Sequence, residues 1–340
     1  MSVIERVWFG SSAVAGVARA ALWPLATAFG AVTTARRALY SAGLLPTREA
    51  VLPCVSVGNL TVGGTGKTPF AAWLAGLLSA NAKVAIVLRG YGGDEAEVHR
   101  RLNPGLPVVA LADRVVAVHM AKAANAQVAV LDDAFQHRRI SRIADIVLVS
   151  VEQLLRPRRL LPAGPWREGL SAARTADLIV LTRKSATIDD ANAARKIVAT
   201  ELPSMPIAVV LLASKSLERV NGAGSRPLGA LRNAAVLAVA AIGEPDLFRN
   251  QLTSFGARVT LASFRDHHAF SAEEVRRLAE SEPDALAVCT MKDAVKLARL
   301  WPASRELWYL SQQLVVEQGA EHIERLCARV LERVSPAIAG

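Results

Sequence analysis

From residue 51 onward, short apolar runs alternate with longer segments that read as helices. That alternation predicts an α/β fold, a mostly parallel sheet flanked by helices. Strands are predicted at Val51 to Val57, Val84 to Leu88, Val108 to Leu111, Val128 to Leu131, Ile146 to Val149 and Leu178 to Leu181. The runs between them are long enough for the crossovers that parallel strands require. A polar, glycine-rich stretch, Asn221 to Gly229, then precedes a second series near Val236 to Ala240, Val259 to Ala262 and Leu286 to Cys289. The pattern ends in Val316 to Val334, read as an amphipathic helix with Ile323, Leu326, Val330 and Val334 on one face. Three parts are therefore expected: residues 1–45, an α/β domain over 46–220, and a smaller α/β domain over 221–340.

The first 45 residues carry a different pattern. Ala20 to Ala35 holds no charge, is interrupted by Pro24, and is bounded by Arg19 and by Arg36 and Arg37. This run is shorter than the roughly 20 apolar residues that a transmembrane helix takes. An amphipathic helix with arginines and tryptophans, here Trp8 and Trp23, lies instead in the plane of a membrane surface, and that is the arrangement expected. The alternatives are a buried core helix, a true span, or a secretory signal with Ala26-Thr27-Ala28 as its cleavage site.

Composition narrows the function classes. With 340 residues, 52% of them hydrophobic, the chain can bury a full core and is not expected to be disordered. Cys54, Cys289 and Cys327 match no metal spacing and, being odd in number, cannot all pair, which fits a reducing cytoplasm. The formal charge of +10 calls for an anionic partner. Arginines crowd at Arg138, Arg139 and Arg142 and again at Arg156, Arg158, Arg159 and Arg167, with few aromatic residues between them on which bases could stack. A phosphorylated substrate or an anionic membrane surface is thus favoured over nucleic acid, beside the plainer reading of a solvated basic face.

The strongest chemical signal is Thr61 to Thr68, TVGGTGKT, between a predicted strand and a predicted helix. Gly63, Gly64 and Gly66 let backbone N–H groups converge on phosphate, and the helix start adds partial positive charge. Lys67 is placed to reach the β- and γ-phosphates of ATP and Thr68 to ligate Mg²⁺, with Thr61, Val62 and Thr65 completing the nucleotide loop. The strict pattern has glycine where this chain has Thr61, and the glycine pair at 63 and 64 compensates. Partitioning-type ATPases share such loops but carry a signature lysine just before the glycines, where this chain has Val62.

A Mg²⁺-dependent phosphotransferase needs a carboxylate at the end of a buried strand, and Val128 to Leu131 runs into Asp132 and Asp133. Adjacent side chains point different ways, so one holds the metal network, Asp132 by preference, while the other can cap the next segment. Gln136, His137, Arg138 and Arg139 follow at the edge of the sheet where α/β proteins bind ligands. Asp94 and Glu95 follow another strand; Asp94 is either a base for an acceptor hydroxyl or a helix cap. Farther on, Asp266, His267 and His268 offer a histidine beside an acid, suited to relaying a proton, whereas adjacent histidines do not easily share one metal.

Taken in order, these motifs resemble tetraacyldisaccharide 4′-kinases, the lipid A 4′-kinases of Gram-negative bacteria. The resemblance rests on Val55 to Leu60 running into TVGGTGKTP, on RGYGG at 89–93 with Asp94 and Glu95, on Asp113-Arg114 and on LDDAFQHRR at 131–139. It continues through LLPAGPWRE at 160–168, Ala241 to Gly243 with Pro245, Phe264 to His268 and Thr290 to Lys296. It implies transfer of the ATP γ-phosphate to the 4′-hydroxyl of a tetraacylated glucosamine disaccharide 1-phosphate, giving lipid IVA. It implies Asp94 as general base assisted by His267, and Asp132, Asp133 and Glu168 serving Mg²⁺ and the nucleotide. It also implies a monomer at the cytoplasmic face of the inner membrane, held peripherally by residues 1–45. The chain departs from the family in using Gly93 for two motifs that an insertion commonly separates, and in having Ala96, Met291 and Glu244 where proline, glutamate and asparagine are usual. The rival is a membrane-associated P-loop ATPase of the partitioning type.

Overall fold

A computed structural model describes residues 3–90 and 94–334. Tyr91, Gly92 and Gly93, part of the RGYGG motif, lie outside the described residues. Helices α1 (Val3–Phe9) and α2 (Ala13–Ser41) precede β1 (Cys54–Asn59), α3 (Lys67–Ser79), β2 (Val84–Leu88), α4 (Asp94–Leu102), β3 (Val108–Ala110), α5 (Arg114–Ala123) and β4 (Val128–Asp132). Next come β5 (Ala144–Ser150), α6 (Val151–Leu154), β6 (Leu178–Arg183), α7 (Ile188–Glu201), β7 (Ile207–Arg219) and β8 (Ser225–Pro227). The chain closes with β9 (Ala235–Ala240), α8 (Pro245–Ser254), β10 (Arg258–Ser263), α9 (Ala272–Ser281), β11 (Leu286–Cys289), α10 (Met291–Leu297), β12 (Leu307–Gln318) and α11 (Ala320–Glu332).

Two compact units result. The larger comprises the described residues of Ser2–Tyr91, His99–Leu212 and Leu314–Gly340. Its strands run in the order β7-β6-β5-β1-β4-β2-β3, each pair parallel. Strands covered on both faces read as unbroken apolar runs rather than alternating ones. Val84–Leu88 and Val128–Asp132 are buried along their whole length and show that pattern. One core sets Val147, Val149, Ile179 and Leu181 against Ala191, Ala194 and Val198 of α7, which share a helix face. Another sets Ala85, Val87, Ala129 and Leu131 against Ala117, Val118 and Ala121 of α5.

The smaller unit comprises the described residues of Gly92–Val98 and Ala213–Gln313. Its strands run β10-β9-β11-β12, again parallel. Alternation along β9 builds two cores at once: Val236, Ala238 and Ala240 pack with Phe248 and Leu252, while Leu237 and Val239 pack with Val275, Leu297 and Trp301.

Three features differ from the pattern's expectation. Asn221 to Gly229 is not a plain linker, because Ser225–Pro227 forms β8 and pairs antiparallel with β7, placing Gly222 and Gly224 in the turn of a hairpin. The predicted helix from Val316 starts at Ala320; residues up to Gln318 continue β12, and Gly319, in the left-handed region at φ 73°, makes the corner. The division at 220 is also not how the units group, since residues 314 onward return to the larger one.

The N-terminal helix departs most. Pro24 does not interrupt it: α2 runs for 29 residues, about 43 Å at 1.5 Å per residue. Proline frees the carbonyl one turn earlier, and α2 is exposed along most of its length, so that group need not stay unpaired. Among the described residues it is the one helix long and apolar enough to cross a membrane.

Candidate active site

The nucleotide loop begins where β1 ends. Asn59, buried, donates from Nδ2 to the Thr61 carbonyl at 2.6 Å and to Thr65 Oγ1 at 2.9 Å, so a strand side chain sets the loop's span. The Thr182 hydroxyl at the end of β6 donates to the Thr65 carbonyl at 2.9 Å, and Lys184 Nζ donates to the Gly64 carbonyl at 2.7 Å. Thr61 Oγ1 bonds Gln153, whose Nε2 also donates to the Val62 carbonyl at 3.3 Å. With its carbonyls held from behind, the loop is free to present N–H groups on the other side. Gly66 sits at φ 82° directly before α3, so the backbone favours glycine there, and a Cβ would in addition have to displace the end of the Leu212 side chain, 2.4 Å away. Lys67 and Thr68 open α3, as expected.

A second segment pairs with this loop. Arg167 N donates to the Leu60 carbonyl at 2.7 Å and Val62 N to the Pro165 carbonyl at 2.8 Å. This strand-like register delivers Arg167 to Asp133, the carboxylate that Lys67 also meets. Asp133, at φ 52°, receives Lys67 Nζ at 3.5 Å and Arg167 at 3.4 Å. Burial works against its charge, but the two cations outweigh burial and hold its carboxyl below the usual carboxylate range. Asp132 points the other way: its Oδ2 lies 2.9 Å from Nε2 of the fully buried His99, while its Oδ1 is buried without a hydrogen-bond partner. Glu168 is buried and pairs with Arg37 of α2 at 3.4 Å. His137 is half-buried; burial first, then Arg114, Arg142 and Arg139, press its pKa below the ordinary histidine value.

Within the smaller unit, Asp94 stands in the first turn of α4. Its Oδ2 is 3.1 Å from Lys296 Nζ on α10 and 3.5 Å from His267 Nδ1. His267 holds a left-handed backbone at φ 59° in the turn after β10, a conformation uncommon outside glycine and found often at functional sites. Asp94 and His267, predicted from segments far apart in sequence, are thus brought into contact. His268 faces elsewhere, with Nε2 3.2 Å from Glu274 and its ring stacked on Phe264.

A profile of the tetraacyldisaccharide-1-P 4′-kinase family matches residues 18–105 and 92–331, nearly the whole chain. The chain belongs to the tetraacyldisaccharide 4′-kinase family. A tetraacyldisaccharide 4′-kinase of Anaeromyxobacter sp. (strain Fw109-5) is 35% identical, with 98% of each chain covered. That of Aromatoleum aromaticum is also 35% identical, over 92% of this chain and 93% of its own. The crystal structure of LpxK from Aquifex aeolicus in complex with ATP superposes with a TM-score of 0.73 at 27% identity, covering 92% of this chain and 99% of that one. This likeness agrees with the P-loop kinase-like α/β fold read from the sequence.

For a tetraacyldisaccharide 4′-kinase, several site residues escape sequence reasoning. His99 has no local signature, because its pairing with Asp132 exists only once α4 packs beside β4. Lys296 falls within a stretch that carries the resemblance, Thr290 to Lys296, yet the motif alone gives it no role. Among the described residues no three His, Cys, Asp or Glu cluster as a metal cage. Mg²⁺ at a kinase site asks for less, one or two carboxylates with water and substrate phosphates. The unpartnered Asp132 Oδ1, with Asp133 next to it and Thr68 at the start of α3, fits that demand.

Proposed function

We infer that this tetraacyldisaccharide 4′-kinase transfers the γ-phosphate of ATP to the 4′-hydroxyl of tetraacyldisaccharide 1-phosphate, forming lipid IVA in lipid A biosynthesis. The observation that carries the reading is the anchored Thr61–Thr68 loop with Lys67 beside the strand-end carboxylate Asp133, in a chain that matches the family along its length.

The loop amides and Lys67 hold the β- and γ-phosphates. Thr68, Asp132 and Asp133 would hold Mg²⁺, with Glu168 bordering them, and the ion would supply neutralisation of charge on the transferring phosphoryl group. Asp94, steadied by His267, accepts the proton of the 4′-hydroxyl as that oxygen bonds to the γ-phosphorus. The bond from the γ-phosphorus to the β–γ bridging oxygen breaks, and ADP leaves. Such transfer relies on positioning and electrostatics more than on covalent chemistry. Labelled ATP with the tetraacyldisaccharide 1-phosphate should give labelled lipid; steady ATP hydrolysis with no labelled lipid would favour the partitioning-type reading instead.

The protein acts as a monomer, peripheral on the cytoplasmic face of the inner membrane, with α2 lying in the surface. Support comes from where the N-terminal helices are tied. Trp8 Nε1 donates to the Pro162 carbonyl at 2.9 Å before α2 begins, and Arg36 and Arg37 near its end reach the Gln136 carbonyl at 3.2 Å and Glu168 at 3.4 Å. A helix held at both ends against one unit does not cross a bilayer away from it. Its free surface shows Val14, Val17, Leu25 and Val32 on one side, an apolar face for lipid, with Trp23 exposed on the opposite flank.

A further inference from the structure

Asp94 has a second partner that the proposed chemistry leaves unused. Lys296 Nζ lies closer to Asp94 Oδ2, at 3.1 Å, than does His267, and the lysine and aspartate side chains are only 12% and 14% exposed. Lys296 is itself backed by Asp293, 4.0 Å away and fully buried. Asp293 is fixed from two sides: its Oδ2 accepts from Ala241 N at 3.0 Å and from the Thr290 hydroxyl at 2.7 Å, while its Oδ1, on the side of Lys296, has no hydrogen-bond partner. Burial of this carboxyl pushes its pKa up, and Lys296, which Oδ1 faces, and Lys292 are cations that oppose the shift.

We propose that Lys296, anchored by buried Asp293, is a positioning residue for the phosphoryl-transfer reaction: it pins Asp94 through Oδ2 and thereby turns Oδ1 toward the acceptor hydroxyl. Lysine and His267 both occupy Oδ2, so the remaining oxygen is the one that meets substrate. A carboxylate on a first helical turn would otherwise rotate among rotamers, and an error of about 1 Å in a reacting group costs on the order of 10²-fold in rate. Thr290 to Lys296 thereby acquires a role, in which Thr290 caps α10, Asp293 accepts the Thr290 hydroxyl and the next turn carries the lysine.

This proposal rests on Asp94 as the base, and a double-mutant cycle separates the two. Turnover of ATP and the tetraacyldisaccharide 1-phosphate is measured for Lys296→Met, Lys296→Arg, Asp293→Asn, Asp94→Asn and the Asp94→Asn/Lys296→Met pair, with nucleotide binding and thermal melting as controls. Lys296→Met should lower kcat by about 10²-fold with the KM for ATP unchanged, Lys296→Arg should restore most of it, and the lysine change should cost almost nothing once Asp94 is gone. Near-normal turnover of Lys296→Met, or an equal loss with and without Asp94, would overturn it. Near-normal turnover of Asp94→Asn would remove the base assignment instead. Should Lys296→Met not fold, Asp293→Asn tests the same contact from behind, and an unchanged kcat there overturns the anchoring.

Discussion

The nucleotide loop and the Asp94 cluster are built in opposite ways. Thr61–Thr68 is contiguous, and what fixes it is hydrogen bonding to its own carbonyls from Asn59, Thr182, Lys184 and Gln153. The Asp94 cluster is assembled from α4, the turn after β10 and α10, and contacts among titratable side chains hold it: Asp94, His267, Lys296 and Asp293. A backbone-built site tolerates changes in supporting side chains, because several anchors share the load. A charge-built site passes each loss to its neighbours, because a buried ion without its partner is penalised.

The sharpest way to break the comparison is to remove the one side chain on which the nucleotide loop does depend. Lys67→Ala should lower kcat/KM by about 10³-fold, the scale of losing an electrostatic stabiliser of the transferring group. It also strips Asp133 of one of its two cations. Steady-state kinetics with ATP as the varied substrate checks this, and a loss below tenfold would show that the loop amides suffice. Asp94→Asn comes next, with kcat down about 10²-fold or more, as for loss of a general base. Nucleotide binding, followed by calorimetry, should stay intact in that variant, since the ion-pair partners of Asp94 among the described residues are His267 and Lys296.

This contrast also explains how much the sequence makes legible. Val84–Leu88 can be read to the residue because a strand buried on both faces has an unbroken apolar signature. Lys67, Thr68 and their glycines are legible because their chemistry is local. β7 and β12 escape prediction: each begins as a buried run, Ile207–Val210 and Leu307–Ser311, and then turns polar and partly exposed, so neither keeps one period. Asp94 and His267 stand out locally only as candidates, since Asp94 fits a helix cap as well as a base, and their contact appears only in the fold. Lys296 and His99 are illegible because ion pairing between distant segments leaves no pattern in either one. Composition does mark the N-terminal segment as uncharged and apolar, but Pro24 reads as an interruption where exposure lets the helix continue.

That helix offers a middle-sized test. Leu25 and Val32, seven residues apart on one face, are 60% and 66% exposed, and burying a large apolar side chain in lipid is worth about 1.5–3 kcal/mol. Leu25→Asp with Val32→Asp should therefore weaken binding to anionic liposomes by at least about 10²-fold, measured by flotation. Turnover of a substrate dispersed in detergent should hold, because both side chains are exposed on α2 and carry no group that the proposed chemistry uses. Unchanged flotation would move the membrane contact to another surface.

The smallest effect probes whether the loop's support is as distributed as its hydrogen bonds imply. Glu152 on α6 accepts from the backbone N–H groups of Lys184, Ser185 and Ala186 at 2.8, 3.0 and 3.1 Å and from the Ser150 hydroxyl at 2.7 Å, organising the turn whose Lys184 holds Gly64. Burial tends to raise its pKa, but these donors prevail and hold the carboxyl below the ordinary glutamate range. A depressed folded pKa means that its stabilisation is complete above the unfolded value, about 4.3, and is lost as pH falls through the lower folded one. Glu152→Ala should cost about 1–3 kcal/mol at neutral pH, as for hydrogen bonds to a charged group, and raise the KM for ATP only slightly. The stability gap to the unaltered chain, from denaturant unfolding, should be flat above about pH 5 and close on acidification. A gap that persisted into acid would mean that Glu152 acts through packing, and a large rise in KM would mean that the loop hangs on this one turn.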